Sequence, residues 1–113
     1  MLDWNEYQNQ IANNTAQIGR ANREILKGYR GLNDAGNATN LLGAKVRELI
    51  ALAVAVTRQC DGCIITHTDA AIKHGATREE IVEALGVAIA VNAGAALIFS
   101  ARAMDAFNVK TSV

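Results

Sequence analysis

Cys60, Cys63 and His67 are the residues whose types and spacing could do chemistry in this 113-residue chain. On a helix of ~3.6 residues per turn, these three positions share one face. Two cysteines at this spacing can bring their sulfurs within bonding distance, as in thiol–disulfide redox motifs. In the first turn of a helix, free N–H groups and the macrodipole favour thiolate over thiol. His67 lies one turn beyond Cys63 and can meet that sulfur directly or through a water. A thiolate is a nucleophile, so the arrangement suits attack on a peroxide or a disulfide. Glu48 precedes Cys60 by twelve residues, or ~18 Å along an unbroken helix, too far to take part. A chain that doubles back near residue 58 instead places Glu48 opposite His67. A carboxylate there would orient the imidazole, giving a proton relay in the order Glu48, His67, Cys63.

Other uses of the same residues are open. The cysteines could be inert packing. A zinc site would need His74 as its fourth ligand, and His74 is ~10 Å past His67 along a helix, so no metal is expected. His74 reads more simply as a cation at a helix C-terminus. Glu48 could be an ordinary acid favoured by a helix start. Glycines occur singly and no phosphate-binding loop is present, so no cofactor is expected.

These residues need helices to hold them. Alanine is about one residue in five, proline is absent and only five residues are aromatic, a mixture that favours helix over sheet. The fold class is all-α. Half the residues are apolar and 19% are charged, a balance that excludes disorder. The length fits one domain, residues 1–113. Trp4, Tyr7, Ile11 and Ile18, continued by Ile25, Leu26 and Tyr29, mark one or two amphipathic helices over about 3–30. Gly31 to Ala38 reads as loop, because Gly, Asn and Asp tolerate turn conformations, and a core follows over about 41–107. Its first helix, Ala44 to about Thr57, is apolar on nearly every side and so expected to be buried on every side. A second runs from about Asp61 to His74, with Gly75 as its stop. Thr77 and Glu80 form a capping box. The helix they open runs toward Val91, and another covers Ala93 to Phe107.

Eleven basic and eleven acidic residues cancel. No basic tract stands out, so neither nucleic acid nor an anionic membrane is an expected partner. Ala84 to Phe99 carries no charge. That run is shorter than the ~20 residues of a span and is interrupted by Asn92, which favours a buried helix pair at a subunit interface. The N-terminus has no basic or apolar leader pattern, and two cysteines cannot staple a secreted scaffold, so the expected location is cytoplasmic.

The pattern resembles the alkyl hydroperoxidase D-like branch of the carboxymuconolactone decarboxylase family. The matching residues are Lys45 to Ile50, Cys60-Asp61-Gly62-Cys63 with His67, Gly75 to Ile81, and Glu83-Ala84-Leu85. The resemblance implies an all-helical bundle that assembles as homotrimers or homohexamers, and a peroxidase or disulfide-reductase activity. By position, it implies Cys63 as the peroxidatic cysteine, Cys60 as the resolving one, and Glu48 and His67 in the relay. At one position the chain departs. Peroxidase members carry a second histidine immediately before the second cysteine, where this chain has Gly62. The lactone decarboxylase branch lacks the cysteine pair, so that reaction is disfavoured.

The expected function is therefore a thiol-dependent peroxidase that reduces a hydroperoxide at the expense of a dithiol or protein reductant. Alternatives are a disulfide oxidoreductase or redox sensor without peroxidase activity, and a helical assembly protein with inert thiols.

Overall fold

A computed structural model describes residues 1–112 as five helices, with no strand among the described residues. They are α1 (Trp4–Ala21), α2 (Arg23–Thr39), α3 (Ala44–Thr57), α4 (Asp61–Lys73) and α5 (Arg78–Thr111). The all-α expectation holds.

Four of the five starts are set by a side chain that satisfies a free N–H group, α3 being the exception with Gly43 at its cap. Asp3 accepts from the Glu6 N–H, Asn22 from Glu24, and Thr77 from Glu80. The expected capping box is complete, with the Glu80 carboxylate accepting from the Thr77 N–H at 2.9 Å. Glu80 is also held below the usual carboxylate range, first by Lys45 at 2.7 Å and then by that backbone bond.

The body is α3, α4 and α5. Helices α3 and α4 form a hairpin, and α5 packs along α3 in the same direction. Two contacts fix that register. Lys45 meets Glu80 near the two helix starts, and Asn92 Nδ2 donates to Thr57 Oγ1 at 2.9 Å where α3 ends. The buried apolar residues lie here: Leu52, Ala55, Ala71 and Ala88. Helices α1 and α2 form a separate V, joined by Asn22 alone, whose N–H closes α1 onto the Ile18 carbonyl while its side chain opens α2. Helix α1 leans on α4, with Gln8 Nε2 donating to Asp69 Oδ2 at 3.3 Å. Asp69 is held below the usual carboxylate range, first by Lys73 and then by Gln8.

Three expectations are corrected. Gly31 to Ala38 is helix, not loop, and α2 continues to Thr39. Arg47 braces its end, donating to Asn37 at 2.9 Å and Asn40 at 2.8 Å. Gly36 makes room for that brace, since a Cβ there would lie 2.5 Å from Arg47 Cδ. The two helices expected after Thr77 are one, because Asn92 is no breaker: its amide also donates to the Ala88 carbonyl at 2.7 Å. Helix α3 is not buried on every side, as Ile50 and Val54 are half exposed within the single chain.

Candidate active site

Helix α3 ends in a Schellman turn. The Gln59 N–H bonds the Val56 carbonyl and the Cys60 N–H bonds Ala55, each at 3.1 Å, with Gln59 left-handed at φ 53°. The turn reverses the chain near residue 58 and brings α4 back along α3. Glu48 therefore faces His67, and Glu48 Oε2 lies 2.7 Å from His67 Nδ1. Both side chains are largely sheltered, at 23% and 16% exposure. In that shelter the carboxylate fixes the ring's orientation and assigns Nδ1 to it, directing Nε2 elsewhere.

The cysteines open α4, both half-buried and not joined to each other. Cys60 is itself the N-cap. Its sulfur accepts the Cys63 N–H at 3.2 Å, so the helix-start donor is aimed at Cys60 Sγ. The expectation that the helix start favours thiolate at both sulfurs fails at Cys63. The Cys60 side chain, hydrogen-bonded to it, pushes the Cys63 thiol above its ordinary range, and burial and the nearby Cys60 charge act in the same direction.

The structure pairs Cys60 with Cys63 at the α4 start and, farther along the α3–α4 hairpin, Glu48 with His67. The Glu48–His67 step of the relay is made directly. Among the described residues no hydrogen bond joins His67 to either sulfur, so the second step would need a bridging water or a small ring movement. His74 stands at the far end of α4 as its C-cap. Among the described residues, no three His, Cys, Asp or Glu converge on a point that could hold a metal ion.

The spacing argument missed the wall beside the cysteines. Gly62 faces α1, where a Cβ would touch the Ile11 side chain at 3.9 Å. Ile11 belongs to the apolar stripe legible in the sequence, but nothing there says which helix that stripe meets.

Fold and site together define an all-α protein with a dithiol at a helix start, backed by a carboxylate–imidazole pair. Residues 23–106 match the model of the carboxymuconolactone decarboxylase family. The chain belongs to that family. It is 44% identical to an uncharacterized protein of Haemophilus influenzae over 96% of both chains. It is 34% identical to an uncharacterized protein of Cupriavidus necator over 80% of each. Over 78% of this chain and 79% of the other, it is 36% identical to uncharacterized protein 4 in the cox locus of Paracoccus denitrificans. Among solved structures, apo-lpg0406, a carboxymuconolactone decarboxylase family protein from Legionella pneumophila, superposes with a TM-score of 0.75 at 35% identity. That match covers 93% of this chain and 94% of the Legionella chain.

Proposed function

We propose that the protein is a thiol-dependent peroxidase in which Cys63 and Cys60 cycle between dithiol and disulfide. The observation that carries this reading is the Cys60–Cys63 pair at the α4 start beside the 2.7 Å Glu48–His67 contact. In the oxidative step the Cys63 thiolate attacks the terminal oxygen of a hydroperoxide. The O–O bond breaks, Cys63 becomes a sulfenic acid, and the alkoxide leaves as the alcohol after taking a proton from the imidazolium. The Cys60 thiolate then displaces hydroxide from that sulfur, forming the disulfide and, with a proton, water. An external dithiol or protein thiol returns two electrons and two protons. His67, oriented by Glu48, holds the proton that passes from Cys63 to the leaving oxygen.

A second reading has its own support. The helix-start N–H is spent on the Cys60 sulfur while the Cys63 thiol is pushed up by Cys60 and burial, which suits Cys60 as the attacking thiol of a disulfide oxidoreductase over Cys63 as a peroxidatic one.

Assembly belongs to the same proposal. Helix α5 runs 34 residues beside the 14 of α3, and beyond Asn92 it overhangs the body. Leu97, Ile98 and Phe99 on that overhang are 68–76% exposed, an apolar load that monomers rarely leave in water. A homotrimer or homohexamer would cover it. Helix α5 is also long and apolar enough to cross a membrane. Asn92, Ser100 and Arg102 along it favour a protein partner over lipid. A cytoplasmic setting, where thiols are kept reduced, suits the proposed cycle.

The test is hydroperoxide consumption with a dithiol reductant, for wild type, Cys63→Ser and His67→Ala. The peroxidase reading expects Cys63→Ser to abolish turnover and His67→Ala to slow it by ~10²- to 10⁴-fold. Disulfide reduction without peroxide consumption in the wild type would establish the second reading in its place.

A further inference from the structure

The cations Arg20, Arg23, Lys27 and Arg30 play no part in the dithiol site or in the core. In sequence they are spread over eleven positions and form no tract. The one-residue elbow at Asn22 gathers them. Arg23, Lys27 and Arg30 follow i, i+4, i+7 along one face of α2, and Arg20 reaches the same place from the last turn of α1. All four line one groove of about 990 Å³ in the crook of the V, with Glu24 as the single acid on its wall. Its apolar part is Ala16, Gly19 and Leu26. Leu26 packs so closely under α1 that a Cβ at Gly19 would lie 2.5 Å from its Cδ1. Among the described residues, none of the four cations is in an ion pair.

We infer that this groove binds an organic phosphate, a phosphorylated small molecule with an apolar body. Four cations against one acid leave three positive charges in the groove of a chain whose formal net charge is zero. One carboxylate would neutralise a third of that excess, whereas a diphosphate matches it. The guanidinium fork makes paired hydrogen bonds to phosphate oxygens, and three of the four cations are arginines. The volume falls at the upper end of the ~300–1,000 Å³ of small-molecule sites. Leu26 gives the rest of such a molecule an apolar seat. The basic face from Arg23 to Arg30 is only ~10 Å long, too short to follow a nucleic-acid backbone.

The test is isothermal titration calorimetry of the full chain with pyrophosphate and, separately, ADP. The comparison is wild type against Arg23→Gln/Lys27→Gln, at low and high sodium chloride, with light scattering on both proteins. The inference expects ADP to bind more tightly than pyrophosphate. It expects binding to weaken with salt and to fall at least tenfold in the double variant, with assembly mass unchanged. No heat from either probe at millimolar concentration would overturn it, as would equal binding by the double variant. A double variant of lower assembly mass would also overturn it, by assigning the cations to the acids of a second copy.

Discussion

Cys60 and Cys63 are three residues apart, yet the fold gives them different work. Cys60 caps α4 and takes the Cys63 N–H on its sulfur. Cys63 sits inside the first turn with its thiol pushed above the ordinary range, chiefly by Cys60. In wild type, iodoacetamide alkylation of Cys63 should therefore rise with pH around a midpoint above that of a free cysteine. Cys60→Ala removes the largest cause, so its midpoint should move down and Cys63 should react faster at pH 7. Superimposable curves would mean that burial alone sets this thiol. The Glu48–His67 contact was legible from spacing, because a helical face and a chain reversal are regular enough to compute. Which sulfur takes the helix-start N–H was not. That depends on whether Cys60 is the cap or the first helical residue, a shift of one position that spacing does not resolve.

Helix ends carry the site, and one of them is strained. Both the α3 and α4 ends are Schellman turns, with a left-handed residue at φ 53° in Gln59 and φ 88° in Gly75. Glycine adopts this conformation freely, whereas a residue with a Cβ loses ~1–2 kcal/mol. Gln59→Gly should then raise unfolding stability by ~0.5–1 kcal/mol after glycine's own entropy cost, measured as a higher urea midpoint at unchanged m. A lower midpoint would show that the Gln59 side chain does more than fill the turn. Elements with strong caps were legible, among them the Thr77–Glu80 box and the Gly75 stop. The last turns of α2 were not, since glycines and asparagines that would fray alone are held by Arg47, a residue on another helix. The continuity of α5 was hidden for the same reason, as Asn92 is satisfied partly by Thr57 on α3.

As a whole, the single chain is open. Its radius of gyration is 19.0 Å, against ~13 Å for a compact domain of this length. The extents are 61 × 37 × 36 Å, and among the described residues four apolar residues are buried. Helical patterning identified the segments but left their apolar faces unassigned, and in the single chain Leu97, Ile98 and Phe99 on the α5 overhang stand exposed. In detergent-free buffer, light scattering should give three or six times 12.0 kDa. Ile98→Glu, at a position 76% exposed in the single chain, should lower that mass toward a monomer. A wild-type monomer in that buffer would contradict the assembly, and precipitation relieved only by detergent would return α5 to a membrane.

The most direct measurement follows the two sulfurs themselves. Reduced protein is treated with one equivalent of a hydroperoxide without reductant, alkylated, and analysed by peptide mass spectrometry. The account predicts a Cys60–Cys63 disulfide, seen as the loss of two hydrogens, with neither residue alkylated and full reversal by a dithiol. Wild-type protein in which both cysteines remain alkylated, or in which Cys63 advances to sulfinic acid while Cys60 stays free, would contradict it.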